Sequence, residues 1–153
     1  KGERQATLLD MATQLGMTAF KPLICERSIV RPRTSAKQRW RRLCIEACKQ
    51  SRRPYLPLIH DPAPPAEVID QASAIGYKVW VAHPTGAPLV MGDLPVSIAD
   101  ALLLMVGPEG GFSEHEISQI VAAGAQPVSL GRTILRIETA AIALLAYVTL
   151  NAR

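Results

Sequence analysis

An uninterrupted apolar run, residues 101–106 (ALLLMV), constrains the fold of this chain more than any other segment. A half-exposed strand alternates apolar and polar residues, whereas a run without alternation is typical of a parallel strand buried on both faces. A glycine-rich turn and a helix follow directly, and Ser113 and Glu116 have the spacing of a capping box at the start of that helix. The segment therefore predicts a strand–turn–helix unit within a sheet that is covered by helices on both sides.

Strand and helix patterns alternate along the rest of the 153-residue chain, which has the length of one domain. We expect helices at residues 3–16, 36–50, 66–74, 113–123 and 139–150, and strands at residues 20–25, 55–59, 78–82, 101–106 and 127–130. Loops are expected at residues 31–35 and 85–99. This alternation predicts an α/β fold with a mostly parallel sheet flanked by helices. The last helix is apolar nearly all round, so it must be covered by the sheet or by a partner subunit.

The three cysteines, Cys25, Cys44 and Cys48, are an odd number without disulfide-like spacing, which favours a reducing, cytoplasmic setting. We interpret them as small buried apolar residues. No metal site is expected, because no CxxC or HxxxH pattern supplies further ligands. No membrane segment is expected either, since the longest apolar run, residues 140–150, broken only by Thr149, is too short to span a bilayer.

Positive charge is concentrated in residues 27–53, where ten basic residues face one acid, Glu46. The segment therefore carries +9, while the whole chain carries +4. Such clustering favours a polyanionic partner such as nucleic acid, although a solvated basic helix face is the alternative interpretation. The candidate nucleic-acid-binding residues are Arg27, Arg31, Arg33, Lys37, Arg41, Arg52 and Arg53.

Two glycine-containing turns follow predicted strands, where parallel sheets place their ligands. One is GPEGG, after residue 106, and the other begins at Leu130-Gly131 and runs to Arg136. Neither has the spacing of a phosphate loop or of a dinucleotide fingerprint. A cation at the start of a helix opposes the helix dipole, so we expect Arg136 to pair with a carboxylate such as Glu109 or with a substrate anion.

The segments GPEGGFSEHEI and LGRTILRIETAAIALL resemble the signature segments of the bacterial 16S ribosomal RNA uridine-N3 methyltransferases, the RsmE family of the SPOUT superfamily. The opening KGERQATLLDMATQLGMTAFKPLICERSIV resembles the first helix, strand and Glu-Arg-Ser loop of that family, and RWRRLCIEACKQSRR resembles its next helix. The resemblance covers nearly the whole chain. Family members usually carry an N-terminal PUA-like β-barrel, which we expect to be absent from this chain.

The resemblance implies a deep trefoil knot in the C-terminal part of the domain and a homodimer formed through the C-terminal helix. It also implies that S-adenosylmethionine binds in the knot. The residues placed at the cofactor by this resemblance are His83, Gly107, Glu109, Gly110, Gly111, Leu130, Gly131, Leu135, Arg136, Glu138, Thr139 and Ala140.

The implied reaction is transfer of a methyl group to N3 of a uridine, which must first lose its N3 proton. Arg136 is the candidate for orienting the base and stabilising charge. Glu109 and Glu138 are candidate proton acceptors, or else hold Arg136 in place. Two alternatives stay open: a methyltransferase that acts on another RNA atom, such as a ribose 2′-hydroxyl, and an RNA-binding domain without turnover.

Overall fold

The computed structural model describes residues 2–29, 36–90 and 101–151 of the chain. Helices and strands alternate along most of them, apart from the consecutive β3 and β4, which confirms the predicted α/β fold. The helices are α1 (Gly2–Gln14), α2 (Ala36–Ser51), α3 (Pro65–Ala74), α4 (Glu114–Ala122) and α5 (Ile137–Asn151). The strands are β1 (Ala19–Phe20), β2 (Leu58–Ile59), β3 (Lys78–Pro88), β4 (Leu102–Met105) and β5 (Gln126–Ser129).

Every strand pairing in the described residues is parallel, as expected from the alternation. The main sheet has the order β4-β3-β5, and β1 pairs with β2 in a second, shorter ladder. In the main sheet Val81 of β3 pairs with Met105 of β4 on one side and with Pro127 of β5 on the other. The carboxyl ends of these three strands therefore reach the same edge of the sheet.

Helices cover both faces of the main sheet, as the apolar run at residues 101–106 indicates. Val79 and Val81 point to one face, where they join a buried cluster with Ile69 of α3 and Ile120 of α4. The intervening Trp80 points to the other face and packs with Leu144 and Tyr147 of α5. Burial of a large apolar side chain contributes about 1.5–3 kcal/mol, so this central strand is a major source of stability.

A third cluster joins the N-terminal helices to the last one. Leu8, Leu9 and Ala12 of α1 pack against Trp40 and Cys44 of α2, and half-buried residues of α5 complete the cluster. The Phe20 ring meets Trp40 edge-on, with centroids 5.6 Å apart. All three cysteines are free and buried, which confirms their interpretation as small apolar residues.

Two strand predictions were too long. The expected strand at residues 20–25 is reduced to β1 because Pro22 has no N–H to continue the ladder, which resumes only as a single bridge between Leu23 and Ala63. The expected strand at residues 55–59 is reduced to β2, which begins after Pro57.

The prediction that a loop begins at residue 85 was wrong, since β3 continues to Pro88. Ala82 and Ala87 both pair with Val128 of β5, so the residues between them form a bulge. Gly86 allows this close approach, because a Cβ atom there would lie 2.5 Å from the Val128 nitrogen. The remainder of the expected loop, residues 91–99, and the expected loop at residues 31–35 lie outside the described residues.

The last helix, α5, is covered by its own chain on two sides, with Leu144 against the sheet and Ile142 and Leu145 in the cluster with α1. The homodimer and the trefoil knot stay predictions. In the part of the chain that is described, no helix combines the length and the apolar character needed to cross a membrane.

Candidate active site

The strand register brings three segments of the predicted site to one edge of the sheet. His83 lies just beyond the three-strand pairing at Val81, Gly107 follows β4, and Leu130 follows β5. Residues 107–112, called here the GPEGGF turn, connect β4 to α4. Residues 130–136, called here the LGRTILR turn, connect β5 to α5. Ligands of parallel sheets bind at this edge, so the arrangement is suited to a binding site.

The GPEGGF turn is fastened by its own backbone and by Arg27. The Gly111 N–H donates to the Pro108 carbonyl at 2.8 Å, and Gly111 has a φ of 70°, which favours glycine. Arg27 Nη1 donates to the carbonyls of Gly110 and Phe112 at 3.0 and 3.2 Å. A Cβ atom on Gly110 would lie 3.3 Å from the Arg27 Cβ, so the Arg27 side chain lies directly against the turn.

A buried carboxylate, Glu116, holds the end of the same turn, where α4 begins. Its Oε2 accepts from the Ser113 N–H at 2.8 Å, and the Ser113 Oγ accepts from the Glu116 N–H at 3.1 Å, so the predicted capping box is confirmed. The other oxygen, Oε1, accepts from the Glu26 N–H at 2.8 Å. Burial, together with the Glu116 charge, raises the pKa of the neighbouring Cys25 thiol to about 11.

Arg4 of α1 connects the GPEGGF turn to the start of α5, and sequence reasoning missed it. Its Nη1 lies 2.7 Å from Glu109 Oε1 in the GPEGGF turn, and its Nε lies 3.9 Å from Glu138 Oε1 near the start of α5. The signal that drew attention to Arg136, a cation at the start of a helix, was equally present at Arg4.

The prediction that Arg136 pairs with Glu109 was therefore wrong, because Arg4 already supplies the cation for Glu109 and lies close to Glu138. The Arg136 side chain is exposed and has no hydrogen bond or ion pair within the described residues. Its carbonyl accepts from the Ala140 N–H at 2.9 Å, so the residue stands immediately before α5. The alternative expectation, that Arg136 meets a substrate anion, stays a prediction.

The LGRTILR turn is far less fastened than the GPEGGF turn. Among the described residues, its backbone hydrogen bonds before Arg136 are those of Gly131, whose N–H and carbonyl lie 3.5 and 3.3 Å from Ser129 Oγ. Ile134 is 94% exposed, and Leu135 is half-buried. Backbone groups of this turn are therefore open to a ligand.

The remaining predicted cofactor residues differ in accessibility. His83 is half-buried, and its Nδ1 lies 2.9 Å from Thr85 Oγ1 within the bulge of β3. Thr139 is exposed in the first turn of α5, whereas Ala140 is buried. Within the described residues, His83 makes no hydrogen bond to either turn.

Several of the predicted RNA-binding residues already have protein partners. Arg53 donates to the carbonyls of Thr13, Gly16 and Met17, and so caps the C-terminal end of α1. Lys37 lies 2.9 Å from Asp61, and this contact lowers the pKa of the Asp61 carboxyl. Arg27, as described, holds the GPEGGF turn.

The outer surface of α2 carries arginines with no partner among the described residues. Of these, Arg41 was named among the candidate nucleic-acid-binding residues, whereas Arg39 and Arg42 were not named individually. Arg39 and Arg42 line a shallow depression of about 290 Å³. Arg52, in the left-handed region with a φ of 56°, also has no described partner. Arg31 and Arg33 lie outside the described residues. No cluster of potential metal ligands occurs in the described part.

The sheet order, the two turns at its carboxyl edge and the helices on both faces define an α/β domain with a ligand-binding edge. A family model for the RNA methyltransferase domain matches residues 1–149. The chain therefore belongs to the RNA methyltransferase domain family. The resemblance identified from the GPEGGFSEHEI and LGRTILRIETA segments is confirmed.

Similar proteins agree with this assignment. Ribosomal RNA small subunit methyltransferase E of Synechocystis is 36% identical over 97% of this chain and 50% of its own length. The protein of that name from Mycobacterium tuberculosis is 33% identical, over 97% of this chain and 59% of its own length. The chain thus spans between half and three fifths of these relatives.

Solved structures show the same fold. Ribosomal RNA small subunit methyltransferase E from Neisseria gonorrhoeae, bound to S-adenosyl methionine, has a TM-score of 0.86 at 36% identity, covering 98% of this chain and 62% of that one. A methyltransferase from Legionella pneumophila with bound SAM has a TM-score of 0.85 at 32% identity, covering 95% and 60%. A SpoU methyltransferase from Streptomyces viridochromogenes, at 16% identity and a TM-score of 0.58, shares the fold alone.

Proposed function

We propose that this chain is the catalytic domain of an S-adenosylmethionine-dependent methyltransferase that modifies N3 of a uridine in 16S ribosomal RNA in the cytoplasm. The observation that carries the proposal is the meeting of the GPEGGF and LGRTILR turns at one edge of a parallel sheet. This arrangement occurs in a domain whose structural neighbours, at 32–36% identity, hold the same cofactor.

The chain's own residues fit this cofactor. Backbone N–H and carbonyl groups of the LGRTILR turn are open. In the GPEGGF turn nothing lies within 4 Å of the position that a Cβ atom on Gly111 would take, so a ligand can approach the backbone there. When bound, S-adenosylmethionine supplies an activated methyl group on a sulfonium ion. Glu109, 45% exposed at this edge, contributes negative charge that suits a cationic ligand.

The protein must also make uridine N3 nucleophilic, because that nitrogen carries a proton at neutral pH. Arg136 is exposed beside the turns and has no described partner, so its guanidinium is free to stabilise the uridine anion. Glu109 and Glu138 are both close to Arg4, so neither is needed to hold Arg136. This leaves their carboxylates as candidate proton acceptors, with Arg4 fixing their position.

Ribosomal RNA phosphates would bind the outer surface of α2, where Arg39, Arg41 and Arg42 have no described partner. Such contacts set the register of the RNA but do not choose the base. Arg31, Arg33 and Arg52 are further candidates in this role. A homodimer through α5 is part of the same proposal, supported by the largely apolar sequence of that helix. The C-terminal trefoil knot is also part of it, as the family resemblance implies.

The decisive experiment combines cofactor binding with product analysis. Calorimetry should detect binding of S-adenosylmethionine, and mass spectrometry of nucleosides from incubated small-subunit RNA should detect N3-methyluridine. A 2′-O-methylated product would replace the proposed target atom. Cofactor binding without any product would support an RNA-binding domain instead, and a folded protein that binds no cofactor would overturn the enzyme proposal.

Within that assay, Arg136→Ala should lower the transfer rate by about 100-fold or more, the scale expected for removing a preorganised charge-stabilising group. The thermal midpoint should be close to that of the wild type, because the side chain has no described partner. Arg132→Ala removes the same charge from the same turn and serves as the matched control. Equal activity of the Arg136→Ala variant and the wild type would remove Arg136 from the mechanism.

A further inference from the structure

We propose that Arg4 is a positioning residue of the cofactor site, which holds the GPEGGF turn and the start of α5 at a fixed separation. The proposal rests on the proposed function, since it assigns the two segments to one binding site. The observation behind it is that a single guanidinium lies within ion-pair distance of Glu109 and of Glu138.

These two carboxylates belong to different segments of the proposed site. Glu109 lies within the turn that follows β4, and Glu138 is the second residue of α5, directly after the LGRTILR turn. Within the described residues no hydrogen bond or ion pair joins the two turns directly. Arg4 is the polar contact between the GPEGGF turn and the start of α5, and it reaches both from a third element, α1.

The helix that carries Arg4 is a firm support. Leu8, Leu9 and Ala12 bury one face of α1 against α2 and α5. At its far end Arg53 holds three carbonyls, those of Thr13, Gly16 and Met17. The Thr149 hydroxyl of α5 donates to the Leu15 carbonyl at 2.8 Å, so α5 is fixed to α1 at this end as well.

Charge makes the arrangement sensitive to the loss of Arg4. No other cation is within ion-pair distance of Glu109 or Glu138 in the described residues. Without the guanidinium, two neighbouring carboxylates would be left facing each other across the site, and repulsion would favour their separation. The Arg4 and Glu109 side chains are about half exposed, so this effect should weaken as salt is added.

The test is a double-mutant cycle on S-adenosylmethionine affinity, measured by calorimetry at low and high salt. Arg4→Gln should weaken binding by about three- to fivefold at low salt, the scale of exposed ion pairs, and by less at high salt. Arg4→Lys should restore part of the loss, because it keeps the charge but not the planar fork. The matched control is Lys49→Gln, which breaks an exposed pair with Glu46 on α2 and should leave cofactor affinity unchanged.

The Glu109→Gln background separates positioning from other roles. If Arg4 acts through Glu109, adding Arg4→Gln there should weaken binding much less than it does in the wild type. A loss that persists in full would mean that Arg4 does not act by linking Glu109 to Glu138, and would overturn the proposal. Unchanged affinity of Arg4→Gln, with a wild type that binds, would overturn it while leaving the proposed function intact. A wild-type protein that binds no cofactor would overturn both.

Discussion

The GPEGGF and LGRTILR turns lie at the same edge of the sheet, yet the chain holds them very differently. The first is fixed by Arg27 on its carbonyls, by Arg4 on Glu109 and by the buried Glu116 at its end. Among the described residues, the second turn has backbone hydrogen bonds before Arg136 only through the Ser129 hydroxyl, and it exposes Ile134 almost completely.

This difference indicates that the GPEGGF turn is preorganised for binding, whereas the LGRTILR turn can adapt to a ligand. A turn that is rigid before binding loses little conformational entropy when the ligand arrives, so it improves affinity. An open turn loses more conformational entropy on binding, but its free backbone groups and Arg136 can adjust to the cofactor and to the RNA. A site that binds both the cofactor and the RNA would use the fixed geometry of the GPEGGF turn and the free polar groups of the LGRTILR turn.

Among the substitutions that test the difference between the two turns, Glu116→Ala should lower the free energy of unfolding most. The change removes the acceptor for the Ser113 and Glu26 N–H groups and leaves both donors without a partner. Loss of a helix cap and of buried hydrogen bonds should lower the free energy of unfolding by about 2–4 kcal/mol. Urea denaturation measures this loss. Glu114→Ala, an exposed acid in the same helical turn, should change stability far less, and an equal loss would contradict the role given to Glu116.

An intermediate effect is expected from Arg27→Met, which keeps an apolar stem against Gly110 but removes the donors to the turn. Charge-assisted bonds to carbonyls that are partly exposed should contribute about 1 kcal/mol. In the other turn, Ile134→Ser should leave the free energy of unfolding within about 0.5 kcal/mol, because the side chain is 94% exposed. If denaturation shows the two variants to be equally stable, the GPEGGF turn is not the more firmly held of the two.

At neutral pH the smallest effect on stability concerns the Cys25 thiol, which lies in the buried cluster with Phe112 at the end of the GPEGGF turn. Its folded pKa of about 11 lies above the ordinary value of 9.0, so the unfolded chain loses this proton first as pH rises. The thiol's contribution to stability should be complete below pH 9 and lost towards pH 11.

Alkylation of Cys25 at pH 8, followed by mass spectrometry of its peptide, provides the measurement. The rate should be about 100-fold below that of a free cysteine peptide, in proportion to the thiolate population. Glu116→Ala should speed the reaction, while Arg136→Ala, in the other turn, should leave it unchanged. Acceleration by Arg136→Ala would show that the two turns loosen together.

Local sequence patterns predicted much of this structure. The apolar run of β4, the capping box at Ser113 and Glu116, and the parallel sheet all follow from rules that depend on neighbouring residues. The lengths of β1 and β3 could not be predicted in the same way. Proline shortened one strand, and the close approach at Gly86 let the other continue along β5.

The partners of charged side chains depend on tertiary structure, so the pattern identified them less well. Arg136 was chosen because a cation opposes the helix dipole, and the same argument applied to Arg4. Only the packing of α1 against α2 and α5 shows which of the two reaches Glu109. Likewise, Arg53 belongs to a basic segment in the sequence, but in the structure it ends α1.

The central place of β3 has a consequence for how the chain is made. Its partners on both sides, β4 and β5, lie later in the sequence, and a parallel pairing cannot form until the intervening chain has crossed over. During synthesis the apolar residues Val79, Trp80 and Val81 therefore leave the ribosome well before β4, β5 and α5 are available to cover them. Folding dominated by such distant pairings is slow, so the nascent chain is exposed to aggregation until its last third emerges.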